Sequence, residues 1–129
     1  MIVKMSDVLQ LGELKDAIWA MKLPPRTAYK FSKLFRAAEN EMDFYRSELN
    51  KNINLYSEKD ENGNTVVDPE NPGQIHLQED KIKDFEDTIR ELLSIKCDIA
   101  APALKMDELE HLTGLTVDQF NSLLPFMEE

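Results

Sequence analysis

The chain has 129 residues, of which 42% are hydrophobic and 31% charged, so it is long enough for a single domain (1–129) with a modest core. Its formal net charge of −10 argues against nucleic-acid binding by the chain as a whole, because the phosphates would repel it. A single cysteine excludes an internal disulfide framework and indicates a reducing compartment.

The first element with helical spacing lies close to the amino terminus. Ser6 is a good N-cap residue, and Asp7 favours the first turn of a helix. Four apolar residues follow at helical spacing: Leu11, Leu14, Ile18 and Met21. Pro24 and Pro25 end this segment, since the residue before a proline disfavours the helical conformation. The sequence therefore predicts a helix over residues 6–21.

The second element is a long helical seam with alternating steps of three and four residues. Its members are Ala28, Phe31, Phe35, Ala38, Met42, Tyr45, Leu49, Asn52 and Tyr56. No glycine or proline interrupts these about four heptads, so the sequence predicts one long helix over 26–57 that packs against a partner helix. A polar residue in such a seam, here Asn52, can set register and oligomeric state.

Residues 58–77 form the next segment, a loop with a β-ribbon whose arms are 65–67 and 74–77. Its opening oxygen-bearing residues follow part of the spacing of a calcium-binding loop. The match then fails, because Gly63 comes too early and Asn71 stands where a bidentate glutamate is needed. We expect a turn there and no metal.

A third helix is predicted over 78–96, and its apolar residues can face those of the long helix. They are Ile82, Phe85, Ile89, Leu92 and Leu93. In an antiparallel register, Leu49 faces Phe85, Tyr45 faces Ile89 and Met42 faces Leu92. The predicted fold class is mainly α: an antiparallel helical hairpin (coiled-coil-like) with a small β-ribbon insertion and short flanking helices.

The carboxyl-terminal segment, residues 97–129, contains a short helix that Thr116 and Gln119 open as a capping box. Its apolar residues are Phe120, Leu123, Leu124, Phe126 and Met127. Two interpretations are open for this end of the chain. It either covers Phe31 and Phe35 on the long helix or anchors another chain by helix-in-groove binding.

Five cations follow one another without an intervening acid between Asp16 and Glu39. We call them the cationic stripe: Lys22, Arg26, Lys30, Lys33 and Arg36. Cations oppose the helix dipole at an amino terminus, so something must compensate them. One possibility is internal pairing with acids available in the chain: Asp107, Glu108 and Glu110. The other is a basic patch for a phosphate or an acidic partner.

Acidic residues dominate the second part of the chain, where residues 52–129 hold eighteen acids against six cations. Four of them recur along the third helix, and we call them the acidic face: Asp80, Asp84, Asp87 and Glu91. Such a row is commonly the solvated side of an amphipathic helix. The functional alternative is a binding surface for a basic groove.

No catalytic or metal-binding pattern is present in the sequence. His76 and His111 are far apart and lack a second ligand at metal-binding spacing. Cys97 lies among apolar residues, which favours an inert buried thiol. We therefore expect a protein that is not an enzyme and that needs no metal and no cofactor.

The order of these segments resembles a family of short phage and prophage proteins without an established activity. The long heptad helix ends in Ser57–Asn64, and an acidic helix follows it. The similarity continues with Ala103–Leu109, Leu115–Phe120 and Leu123–Met127, and it covers the chain from about Leu23 onward. The resemblance implies a phage context and supplies no site residues.

Together these features predict a small acidic phage accessory protein that acts by protein–protein binding in the cytoplasm of an infected or lysogenic bacterium. The expected partner is a basic host or phage complex, such as a nucleic-acid-handling or defence complex that it inhibits or modulates. The alternative is a morphogenesis protein, either a virion component or an assembly chaperone, that forms a homo-oligomer. Membrane insertion is not expected, since no apolar run approaches the ~20 residues of a bilayer span. Direct nucleic-acid binding is not expected either, because of the negative net charge.

Overall fold

The structure is a computed structural model that describes residues 1–68 and 71–128. It is mainly helical, with 61% helix and six α-helices in the described part of the chain, which confirms the fold class at that level. The chain forms two compact units. Unit 1 contains Met1–Asp43 and Ser94–Glu129, and unit 2 contains Phe44–Leu93.

The predicted first helix is two shorter helices, α1 (Met5–Glu13) and α2 (Lys15–Trp19). The break falls at Leu14, whose N–H donates to the carbonyl of Leu11, a three-residue step that tightens the turn. Leu14 is buried at this break. The apolar spacing therefore predicts the buried side of the segment but not its interruption.

The long helix is α3 (Pro25–Tyr56), within one residue of the predicted bounds. Its residues buried in unit 1 are Thr27, Phe31, Leu34, Phe35, Ala38 and Met42. The predicted seam is wrong at Ala28, which is exposed while Thr27 is buried. The reason is tertiary: the segment around Glu108 lies on the side of Thr27 and Lys30, so the opposite side of the first turn stays uncovered.

A two-stranded antiparallel sheet in unit 1 joins distant parts of the chain. Strand β1 (Ile2–Lys4) pairs with a strand at Lys96–Asp98, and Val3 lies opposite Cys97. Both of these residues are buried. The prediction of helix to residue 96 is therefore wrong beyond Leu93, because the backbone of this segment hydrogen-bonds to the amino terminus instead.

Unit 2 contains a β-ribbon between its helices. Strands β2 (Val67–Asp68) and β3 (Asn71–Ile75) are antiparallel and place Val67 opposite Ile75. In chain order, the strand at Lys96–Asp98 described above is β4. The predicted ribbon is present, but its strands overlap the predicted arms 65–67 and 74–77 only at residue 67 and at residues 74–75. Residues 69–70 lie outside the described residues. The ribbon adjoins the end of α3, since Glu58 N–H donates to the carbonyl of His76.

The predicted third helix is shorter at both ends. A 3₁₀ turn at Glu79–Lys81 precedes α4 (Ile82–Leu93). Phe85 of this helix makes an edge-to-face contact with Tyr56, with ring centroids 6.2 Å apart. Tyr56 is two helical turns beyond Leu49, the residue that the predicted register places opposite Phe85, so the contact does not confirm that register.

The carboxyl-terminal segment belongs to the core of unit 1. It contains α5 (Met106–Leu109), α6 (Val117–Asn121) and a 3₁₀ turn at Leu124–Phe126. The predicted capping box of α6 is confirmed. Leu123 and Phe126 are fully buried, and the carbonyl of Phe126 accepts from Leu104 N–H, so the chain itself covers these two side chains.

No α-helix in the described ranges is both long enough and apolar enough to cross a membrane.

Gly12 marks a close approach between α1 and α3. A methyl group added at Gly12 would lie 2.5 Å from the sulfur of Met42, which is buried. We expect Gly12→Ala to lower the free energy of unfolding by about 1 kcal/mol, the cost of overpacking less the helix preference of alanine. Urea denaturation measures this. In a Met42→Ala background the same change should stabilise, and destabilisation there would contradict the contact.

Candidate functional site

The residues that could hold a metal are dispersed. No group of three or more His, Cys, Asp or Glu side chains suited to a metal ion exists among the described residues, and His76 and His111 are both exposed. The calcium-like spacing after α3 builds a turn: the Asp60 carboxylate accepts from the N–H groups of Asn62 and Asn64. Gly63 completes it with φ +79°.

Cys97 is a buried thiol on β4 and is not set up as a nucleophile. Burial raises its pKa to about 11, and the charge and hydrogen bonding of Glu41 add to that effect. A thiol with such a pKa is protonated at neutral pH, whereas nucleophilic attack requires the thiolate. The predicted inert character of Cys97 follows from this environment.

The raised pKa predicts a pH dependence of stability. Between the ordinary pKa of 9.0 and about 11, the unfolded chain releases the Cys97 proton while the folded chain keeps it. The free energy of unfolding therefore falls as pH rises through that window, by up to about 3 kcal/mol. Urea titrations at several pH values should show a steeper fall for wild type than for Cys97→Ala. Equal slopes would contradict the assignment.

One member of the cationic stripe is compensated from within the chain. The Lys30 ammonium forms an ion pair with Glu108 at 2.5 Å and donates to the carbonyl of Ala103 at 3.0 Å. Glu108 also accepts the N–H of Lys105 at the start of α5. Internal pairing is thereby confirmed at this position, where both side chains are largely buried.

The other members of the stripe are exposed: Lys22, Arg26, Lys33 and Arg36. The Lys33 ammonium lies 5.1 Å from the centroid of the Tyr29 ring, and Lys15 lies 5.6 Å from that of Trp19. Cations at such distances over aromatic faces are attracted by the ring quadrupole. Lys33 of the stripe and Lys15, which precedes the stripe in the chain, thus each lie over an aromatic ring.

The Lys30–Glu108 pair should contribute measurably to the stability of unit 1. Lys30→Met leaves the partly buried carboxylate with fewer partners, so we expect a loss of about 1–3 kcal/mol in the free energy of unfolding. Glu108→Gln should cost less, since an amide oxygen can still accept. A double-mutant cycle by denaturation measures the coupling energy between the two residues. A coupling energy near zero would contradict a stabilising role of the pair.

The acidic face lies on α4 and the turn before it. All four carboxylates are exposed, and Asp87 forms an ion pair with Arg90 at 3.1 Å. An exposed pair of this kind contributes little to stability, so it does not explain why the face is acidic. Asp80 and Asp84 lie in the first turns of their helical segments, where the helix dipole favours acids.

The opposite side of α4 is only partly covered. Leu92 is buried, Phe85 and Ile89 are half-buried, and Ile82 is 41% exposed. The predicted apolar stripe of this helix is therefore present, but the described part of unit 2 does not bury all of it. The acidic face and a partly exposed apolar surface therefore lie on opposite sides of α4.

Trp19 and Tyr29 are surface features that heptad spacing misses, because each lies outside the seam. Trp19 is 56% exposed and Tyr29 is 63% exposed. The sequence feature that could have revealed this surface is the position of the two rings among the cations of residues 15–36.

Comparisons of this chain with protein-family models, with curated proteins and with solved structures gave no match.

Proposed function

We propose that the chain is a non-catalytic accessory protein that binds a protein with a basic surface through the acidic face of α4. In this proposal it is a phage or prophage product that acts in the cytoplasm of the bacterial host. The binding inhibits or modulates a complex that handles nucleic acid or serves in host defence. The observation that carries the proposal is the row of four exposed carboxylates.

Charge alone would give weak and unspecific attraction, and unit 2 offers apolar contact as well. Its exposed large side chains include Phe44, Leu55 and Ile82. Protein interfaces combine an apolar centre, which supplies most of the affinity, with charges that steer association and select the partner. Unit 2 meets both requirements, with acids on one side of α4 and partly uncovered apolar residues on the other.

A basic partner is the chemistry that complements this surface. Proteins that bind nucleic acid concentrate lysine and arginine in the cleft that receives the phosphates. A row of carboxylates on a helix presents negative charge at intervals of about one helical turn, so it can compete for such a cleft. This reasoning supports a complex that handles nucleic acid as the partner.

We further propose that the second half of α3 and α4 pair as the antiparallel hairpin. Two contacts in unit 2 support this arrangement. Tyr56 and Phe85 meet edge to face, and the N–H of Gln78 donates to the carbonyl of Tyr56. The chain therefore returns toward α3 just before α4 begins.

The decisive experiment compares two variants that remove the same amount of charge. Asp84→Asn with Asp87→Asn neutralises the acidic face, whereas Asp107→Asn with Glu110→Gln neutralises exposed acids of unit 1. With a partner captured from a bacterial lysate and then purified, we expect the first variant to bind about tenfold more weakly than wild type. The second should bind as wild type does. Calorimetry measures both affinities.

The affinity should also fall as salt is raised, because screening weakens interactions between exposed charges. Equal binding by both variants, or an affinity indifferent to ionic strength, would overturn the acidic face as the binding surface.

The alternative, a morphogenesis protein that self-associates, requires the seam of α3 to pair with a second copy of the chain. The side-chain amide of Asn52 donates to the carbonyl of Glu48 in its own helix at 2.7 Å. This polar group is therefore satisfied without a second copy, and we expect a monomer in light scattering at micromolar concentration. A stable dimer would favour the morphogenesis role instead.

A further inference from the structure

An apolar groove in unit 1 lies where α2 ends and α3 begins. We call it the aromatic groove; its volume is about 430 Å³. Its lining includes Trp19, Met21, Leu23, Ala28 and Tyr29. The two aromatic rings are more than half exposed, so the groove is open to solvent.

Trp19 is held in place although it is exposed. Its ring makes an edge-to-face contact with Phe35, with centroids 5.8 Å apart. Phe35 is buried and stacks in turn on Phe31, with ring centroids 6.3 Å apart. A side chain fixed in this way loses little conformational freedom on binding, which favours affinity.

The rim of the aromatic groove is cationic. Lys15 lies over Trp19 and Lys33 over Tyr29, while Lys22 and Arg26 are exposed in the connecting segment and the first turn of α3. No acidic residue occurs between positions 16 and 39 of the sequence. The segment that lines the groove therefore has a charge opposite to the net charge of −10 of the chain, and the nearby acids Asp107 and Glu108 line an adjoining cavity that Arg26 and Tyr29 share.

We propose that the aromatic groove binds an acidic segment of a partner protein: a bulky apolar side chain enters the groove, and carboxylates on either side meet the cationic rim. Charge complementarity carries the choice of occupant. The apolar lining requires an apolar anchor, which a free phosphate or a nucleic-acid backbone lacks. This site lies in unit 1 and selects acids, so it is independent of the acidic face.

The test uses Trp19, the single tryptophan of the chain, as the reporter. Three short synthetic peptides are titrated against the intact protein while its fluorescence is followed. The first has leucine and phenylalanine flanked by aspartate and glutamate, the second replaces the acids with lysine, and the third replaces the apolar residues with serine. We expect saturable binding of the first peptide, weakened by salt, and no saturable response to the other two.

Charge-reversal variants then locate the site. Arg26→Glu and Lys33→Glu should each weaken binding about fivefold. Arg26→Glu places an acid in the first turn of α3, where the helix dipole favours it, so the fold is retained. Tyr29→Ser should weaken binding by removing an exposed aromatic contact. The control Lys83→Glu changes the same charge on α4 and should leave the affinity unchanged.

Several outcomes would overturn the proposal. The first is an equal fluorescence response to the acidic and the lysine peptides, and the second is no response to the acidic peptide at millimolar concentration. The third is an equal loss of affinity in Lys33→Glu and Lys83→Glu. Concentration-dependent self-association that Arg26→Glu abolishes would assign the groove to a second copy instead. Variants at Asp84 and Asp87 should bind the acidic peptide normally, which separates failure of this site from failure of the acidic face.

Discussion

The burial of the first half of α3 is the constraint on which the rest of unit 1 depends. A single helix cannot bury its own apolar side, so Phe31, Leu34 and Phe35 require cover from other segments. The core of unit 1 draws its other buried side chains from α1, α2, the β1–β4 sheet and the carboxyl-terminal segment. Gly12 permits the close approach to Met42 that this packing needs.

The same requirement is met less completely in unit 2, and the proposed function depends on the apolar surface that this leaves exposed. Among its described side chains, Leu92 is buried, whereas Phe85 and Ile89 are half-buried and Ile82 is exposed. Apolar area left in water is a source of free energy for association, at about 25 cal/mol per Å² removed from solvent. In the proposed function, the carboxylates on the other side of α4 then select the partner.

Charge is divided between the two units in a way that the net value of −10 conceals. The cationic stripe contains both an internal pair, Lys30 with Glu108, and exposed cations beside aromatic rings. The pair is largely buried and serves the fold, whereas exposed cations remain available to a ligand. Neighbouring residues of one helix therefore have different roles, and the difference comes from what covers each of them.

Local sequence patterns predicted the elements of this protein well because they report short-range physics. Each of these patterns involves residues only a few positions apart: the apolar spacing of α3, the capping box at Thr116 and the turn residues of the β-ribbon. They could not reveal the β1–β4 pairing, since three-residue strands carry almost no pattern and their bonds span the chain. The exposure of Ala28 and the convergence of Trp19 and Tyr29 on one groove were likewise decided by tertiary structure, because burial depends on the segments that pack nearby.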